Sequence, residues 1–214
     1  MALRVAILLS GRGSNAQALL DDCAAGGHAQ VVRVISNRPG ALGLKRAEAA
    51  GVPAAVVDHR AFPDRAAFEA ALHGALTACG AELVCLAGFM RLLTAPFVEA
   101  WHDRLINIHP SLLPAFPGLD THARALAEGV RFHGCTVHFV RAAMDAGPII
   151  GQAAVPVHPS DDADSLAERV LAAEHRLYPW AVRAIAAGRV TVRDERAVIE
   201  GWGPPAGPWL NPAQ

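Results

Sequence analysis

The chain has 214 residues, of which 52% are hydrophobic and 18% charged, and its formal net charge is −1. This balance supports one sizeable core or at most two small domains and excludes a disordered chain; a charge so close to zero leaves no overall basic field for nucleic acid. Lys45 is the only lysine, and it sits in neither of the contexts that Schiff-base catalysis or a lysine-dependent phosphate loop requires.

The opening run Met-Ala-Leu-Arg-Val-Ala-Ile-Leu-Leu-Ser is too short for a signal peptide and has no cleavage site, so it reads as a buried first strand over residues 4–9. It runs into Ser10-Gly11-Arg12-Gly13-Ser14-Asn15 and then directly into a helix over 14–25. Glycines let backbone N–H groups converge, and the helix start adds partial positive charge, which together make a phosphate cradle. Gly11-x-Gly13-x-x-Ala16 fits a loose dinucleotide fingerprint, but the second strand (31–35) ends in Ser36-Asn37-Arg38 where an acidic residue is needed. A nicotinamide or flavin dinucleotide is therefore not expected. The choice left is a tight turn capped by Ser14 or Asn15, or a monophosphate site, which the polar groups of Ser14 and Asn15 favour.

Helical periodicity over 41–50, 64–78 and 95–101 alternates with strand signals at 54–57, 83–86 and 105–108. Strands that are apolar throughout, separated by helices, predict an α/β protein: a Rossmann-like open twisted sheet, mostly parallel, with helices on both faces. The longest apolar stretch, 83–93, is too short to span a bilayer and contains Arg91. No membrane association is expected.

The fifth strand carries Asn107 and His109 at alternate positions and meets Pro110, which ends it. Residues two apart on a strand point to the same side, so a carboxamide and an imidazole stand together at the strand's C-terminal end, where open α/β sheets bind ligands. One can donate to a developing oxyanion and the other can move a proton near neutral pH. The pattern alone is commoner as turn chemistry; the proline-rich string that follows it, the glycine loop and an acidic loop downstream turn the reading toward acyl transfer.

A helix near 121–128 precedes two strands, 136–140 and 149–157, joined by an elongated loop. This predicts a hairpin and an antiparallel C-terminal part of the sheet. The loop holds Asp145-Ala-Gly-Pro148, which alone is a turn; beside His109 its carboxylate favours the charged imidazole. A long helix over 164–187 begins at Ser160 and the cluster Asp161, Asp162 and Asp164 and ends at Gly188. Two short β-like pieces, 189–192 and 197–199, turn around Asp194-Glu195. The expected organisation is one domain over 1–200 and a Pro/Gly/Trp-rich tail over 201–214. The four cysteines show no Cys-x-x-Cys spacing and read as reduced thiols, which implies the cytoplasm. Ten histidines form no metal-binding motif, and no metal is expected. His133 and His138, five apart, fall on opposite faces of a strand; His138 reads as structural and His133 as a support behind the site.

Taken in order, Gly11-Arg-Gly-Ser-Asn15, Ala87-Gly-Phe-Met-Arg-Leu-Leu93, Asn107-Ile-His-Pro-Ser-Leu-Leu-Pro114, His133-Gly-Cys-Thr-Val-His138 and Asp145-Ala-Gly-Pro148 resemble the phosphoribosylglycinamide formyltransferases, folate-dependent enzymes of purine biosynthesis. The resemblance runs from Val5 to about Ala187. It implies the formyltransferase fold, 10-formyltetrahydrofolate as formyl-donor cosubstrate and glycinamide ribonucleotide as acceptor. By matching motif positions it implies Asn107, His109 and Asp145 as the catalytic trio and Gly13, Ser14, Asn15 and Glu174 on the ribonucleotide. It puts Arg65, Met90, Arg91, Leu92, Leu93 and Asn107 on the folate. Direct transfer through a tetrahedral intermediate is implied, with Asn107 stabilising the oxyanion, His109 as general acid/base and Asp145 supporting protonated His109. Arg12 stands where the family often has a small or polar residue, and it either adds a phosphate contact or faces solvent. The expected partners are these small molecules, and the expected state is a monomer or homodimer.

Two rivals share the core. Formyltetrahydrofolate hydrolases carry an added N-terminal regulatory domain, for which Met1 to Arg4 leave no room; an initiator-tRNA formyltransferase needs a further C-terminal domain and a basic surface. A non-catalytic nucleotide-binding sensor on the same fold would keep the glycine loop without needing the trio, and because the trio is complete this reading ranks last.

Overall fold

A strand buried on both faces must be apolar wherever it is covered, and β1 (Leu3–Leu9) meets that demand from Val5 to Leu9, which are fully buried, while Arg4 at its start is exposed. A computed structural model describes residues 1–201, 203, 210 and 211; the expected Trp202 and Trp209 of the tail lie outside the described residues. After β1 come α1 (Ser14–Gly26), β2 (Ala29–Ser36), α2 (Leu42–Ala49), β3 (Ala54–Val56), α3 (Arg65–Ala78), β4 (Leu83–Leu86), α4 (Ala95–Ala100) and β5 (Leu105–His109). The second half holds α5 (Thr121–Ala127), β6 (Phe132–Phe139), β7 (Ile149–Pro156), α6 (Ala163–Ala186) and a separate hairpin of β8 (Val190–Arg193) and β9 (Arg196–Ile199).

The main sheet has the order β3-β2-β1-β4-β5-β6-β7. It is parallel from β3 to β5, then antiparallel from β5 to β6 and from β6 to β7. Each face has its own core. Val5, Ile7 and Leu9 pack with α1, α2, α5 and α6 through Leu19, Leu44, Ala125 and Val170. Ala6 and Leu8 pack with α3 and α4 through Phe68, Leu72 and Phe97. The mixed, doubly covered sheet predicted from the sequence is the one observed.

One boundary differs from expectation by more than two residues. β6 begins at Phe132, four residues before the predicted 136, because Gly134 lies inside it; a Cβ there would sit 1.9 Å from the Ala153 carbonyl oxygen on β7. Glycine weakens a strand signal and also permits that close approach. The acidic cluster before α6 resolves into a cap: Asp162 accepts from the Ser165 N–H at 2.8 Å while the Ser165 hydroxyl accepts from the Asp162 N–H at 3.0 Å. In the sheet, β1 lies between β2 and β4, the point at which strand order reverses. The loops leaving β1, β4 and β5 therefore meet over one crevice.

Candidate active site

At one end of the crevice the glycine loop turns into α1. Gly13 has φ 71°, and a Cβ on it would lie 2.6 Å from Gly43 Cα. Only glycine fits both demands. The Gly43 N–H donates to the Gly11 carbonyl at 3.1 Å, and Arg46 Nε donates to the Arg12 carbonyl at 3.0 Å. The Arg12 residue itself is exposed. Gly13 occupies the N-cap and no side chain caps the helix, so neither Ser14 nor Asn15 plays the turn-capping role weighed above. The first N–H groups of α1 are left for a ligand. Asn15 instead reaches across to α6, where its Nδ2 donates to Glu174 Oε2 at 2.6 Å. Glu174 is 6% exposed; burial raises its carboxyl above the ordinary range and the Asn15 bond partly opposes that shift. Gly13, Ser14, Asn15 and Glu174 thus form one group.

At the centre, β5 presents Asn107 and His109 on the same side. His109 is 5% exposed. Its Nε2 lies 3.0 Å from the Phe116 carbonyl oxygen, and its Nδ1 lies 3.5 Å from Asp145 Oδ1. A proton on Nε2 serves the Phe116 carbonyl, while Nδ1 faces the Asp145 carboxylate. Asp145 is held in turn by the Gly118 N–H, which donates to its Oδ2 at 2.7 Å. Phe116, Asp120 and Asp145 all adopt positive φ (53°, 56° and 49°). Such backbone costs on the order of 1 kcal/mol per residue and collects where geometry is set by function.

His138, expected to be structural, belongs to this centre. It pairs directly with Asn107 across β5 and β6, and its Nε2 is 3.3 Å from Asn107 Nδ2 while its Nδ1 is 2.9 Å from the Phe139 carbonyl. The Phe139 carbonyl requires a proton on Nδ1, so Nε2 accepts from Asn107 and fixes which way the carboxamide points. Burial lowers the His138 pKa and keeps the ring neutral. Only the strand register could reveal this partner. His133 is 1% exposed and stands edge-on to Phe116 and His122, behind the loop that follows His109. Burial, with the His122 charge adding to it, lowers its pKa to about 4.

On the far side a cleft of about 120 Å³ is lined by Arg91, Leu92, Leu93, Asn107, His138 and Asp145, among others. Apolar side chains such as Phe89, Leu92 and Leu93 and directed polar groups share these walls, a mixture that suits a flat heteroaromatic ring. Met90 is 60% exposed and outside this lining; its N–H donates to Ser10 Oγ at 2.8 Å, and Ser10 donates to Asn37 Oδ1 at 2.5 Å. Arg65 is exposed at the first position of α3, also outside the lining. One turn further along α3, buried Glu69 accepts from both the N–H and the hydroxyl of Thr94, which anchors the end of the Arg91–Leu93 segment. Ser10, Asn37, Glu69 and Gly118 carried no sequence signal of their own, because each acts through a partner more than twenty residues away.

Among the described residues no group of three or more His, Cys, Asp or Glu is placed to hold a metal ion, and no helix is long and apolar enough to cross a membrane. All four cysteines are free; burial raises the thiols of Cys23 and Cys135 to about 11 and about 12, so they remain protonated hydrophobes.

The family model described as formyl transferase matches residues 3–182. The chain is 42% identical over 200 residues to phosphoribosylglycinamide formyltransferase of Escherichia coli (strain K12), covering 93% of this chain and 94% of that protein. It is 52% identical over 195 residues to the trifunctional purine biosynthetic protein adenosine-3 of Drosophila melanogaster; the match takes in 90% of this chain but only 14% of that protein, so the chain spans about a seventh of this relative. Among solved structures, glycinamide ribonucleotide transformylase 1 from Symbiobacterium toebii superposes with a TM-score of 0.90 at 52% identity, over 92% of this chain and 94% of that one.

Proposed function

The chain belongs to the formyl transferase family, and from that membership we propose that it transfers the formyl group of 10-formyltetrahydrofolate to the amine of glycinamide ribonucleotide, in the cytoplasm, as a step of purine biosynthesis. The relatives it matches over their whole length carry the name of that activity. One observation carries the assignment to this chain's own residues: Asn107, His109 and Asp145 converge at the end of β5, with an open helix N-terminus on one side and an apolar cleft on the other.

In the proposed reaction the ribonucleotide phosphate rests on the first N–H groups of α1, at Gly13, Ser14 and Asn15, and the Glu174 carboxylate accepts from its ribose hydroxyls. The folate ring enters the cleft beside Arg91, Leu92 and Leu93, with Met90 and Arg65 flanking its outer part. The acceptor amine attacks the formyl carbon and a C–N bond forms. The carbonyl electron pair moves to oxygen, which Asn107 and protonated His109 stabilise, the histidine donating to it in place of the Phe116 carbonyl. Collapse breaks the bond to the folate nitrogen, which takes a proton as the amine loses one; His109 moves the proton and Asp145 holds its charged ring. The steps form no covalent enzyme intermediate.

The test is to incubate the protein with 10-formyltetrahydrofolate, with and without glycinamide ribonucleotide, and to follow folate absorbance. Release of tetrahydrofolate only when the ribonucleotide is present is the expected result. Release at the same rate without it would replace transfer with hydrolysis, and no release in either case would leave a nucleotide sensor.

A further inference from the structure

The loop that carries Asp145 rests on an arginine. Arg141 begins the loop, and its side chain is 14% exposed. Two segments distant in sequence, and the backbone next to it, meet on its guanidinium. Nη2 donates to Asp103 Oδ1 at 2.7 Å, in the turn that leads into β5. Nε donates to Glu195 Oε2 at 2.7 Å, at the tip of the β8–β9 hairpin. Nη1 donates to the Val140 carbonyl at 3.2 Å. The aliphatic stem is used as well: a Cβ on Gly147, whose φ is 122°, would lie 3.0 Å from Arg141 Cγ and 2.1 Å from the Phe139 carbonyl oxygen. The loop therefore starts at Arg141 and, two residues past Asp145, folds back onto the same side chain.

The backbone tells the same story. Among the described residues, the non-glycine positions with positive φ form two sets. Phe116, Asp120 and Asp145 lie around His109, and Asp103, Asp194 and Glu195 lie around Arg141. Asp194 and Glu195 take theirs as the two central residues of the β8–β9 turn, and that turn, like the one at Asp103, brings a carboxylate to the one guanidinium. Arg141 also lines both the cleft beside Asp145 and the neighbouring groove that contains Glu99, His102 and Glu195.

We propose that Arg141, clamped by Asp103 and Glu195, is a positioning residue that sets the Asp145 carboxylate against His109. The clamp also ties the turn before β5, and so the strand carrying Asn107 and His109, to the loop carrying their acidic partner. The proposal rests on the reading of Asp145 given above, and it adds to that reading a link from the β8–β9 hairpin to the catalytic centre.

Two variants of the protein test it. Arg141→Met keeps the stem beneath Gly147 and removes the charge; the pair Asp103→Asn with Glu195→Gln keeps Arg141 and removes both carboxylates, using residues compatible with the backbone at those positions. Each should lower kcat by about tenfold, as expected for a displaced catalytic group, while KM for the ribonucleotide stays within about twofold. Arg141→Lys should restore part of the loss. In an Asp145→Asn background, Arg141→Met should cause no further loss of kcat, because the two changes act through one carboxylate. A readout free of activity is the Gly118 amide, which donates to Asp145: its hydrogen exchange should speed up in both variants. A full additional loss in the Asp145→Asn background would overturn the proposal, as would unchanged Gly118 exchange. If the parent transfers no formyl group, the functional reading fails, and the exchange measurement still decides whether Arg141 positions Asp145. Should Arg141→Met fail to fold, the double carboxamide variant carries the test alone.

Discussion

His109 meets an acceptor on each side of its ring, Phe116 through Nε2 and Asp145 through Nδ1. His109→Ala removes the group that must touch the developing oxyanion but nothing that touches the phosphate loop. Formyl transfer should fall by ~10²–10⁴-fold with ribonucleotide affinity nearly unchanged, measured by single-turnover kinetics beside calorimetry. Glu174 gives a pH prediction of the opposite kind, for binding. Burial raises its pKa, and only the ionised carboxylate accepts from two ribose hydroxyls at once. Ribonucleotide affinity should weaken as pH falls through that raised value, at a pH where an ordinary glutamate is still ionised; Glu174→Gln should bind less tightly and lose the pH dependence. His133 acts on stability instead. Its folded pKa of about 4 lies below the ordinary ~6.5, so between these values the unfolded chain binds the proton and the folded chain does not. Stability is then whole above about pH 6.5 and is lost as pH falls toward 4. His133→Phe, which can keep the edge-on contacts with Phe116 and His122, should make the melting temperature less steep across that window by several degrees. His122, His138 and His175 shift in the same direction, so part of the slope will remain.

At the scale of the element, the proposed function gives the start of α1 the recognition of the acceptor. Its first N–H groups have no cap, and an anion there gains both hydrogen bonds and the helix dipole. The dephosphorylated riboside should therefore be a poorer acceptor by an order of magnitude or more in kcat/KM. Gly13→Ala, which adds a Cβ 2.6 Å from Gly43 Cα at φ 71°, should both destabilise the fold by roughly 1–3 kcal/mol and weaken ribonucleotide binding. Riboside and ribonucleotide of equal efficiency would reduce the loop to a turn. Elements of this kind are where the sequence is most readable. Alternation of apolar runs and helical periodicity is local, and it located β1 to β5 and α1 to α4 within a few residues; Asn107-x-His109 followed by proline is likewise local. The early start of β6 was hidden because Gly134 serves a contact on β7 rather than any propensity of its own. The contact of His138 with Asn107 is not legible in the sequence, because it depends on a register between two strands that parity along one strand does not contain. Arg141 was passed over because its partners lie 38 and 54 residues away, on a turn and a hairpin tip.

For the whole molecule, the question is how two cores on opposite faces of one sheet hold three loops at a common height. Tyr178 of α6 supplies part of the answer. It is fully buried, and its hydroxyl lies 3.0 Å from the Leu86 carbonyl and 3.3 Å from the Ile106 carbonyl. Those carbonyls belong to β4 and β5 just before the strands release the Arg91–Leu93 segment and Asn107. One turn earlier on the same helix stands Glu174, so this single hydroxyl ties the ribonucleotide side of the site to the two strands that carry the folate side and the catalytic pair. Tyr178→Phe fills the same volume and removes only that tie. It takes away the one proton that the two buried carbonyls share, which costs about 1–2 kcal/mol. The urea midpoint should fall accordingly with the slope unchanged. If α6 were held in place by its apolar face alone, kinetics would not respond. With the hydroxyl setting its height, KM for the ribonucleotide should rise a few-fold while KM for the folate stays constant, because Glu174 rides on the helix and Leu92 and Leu93 do not. Steady-state kinetics with each substrate varied in turn separates these outcomes. A variant that is less stable but kinetically identical to the parent would assign the height of α6 to packing around Leu166, Val170 and Val182 instead.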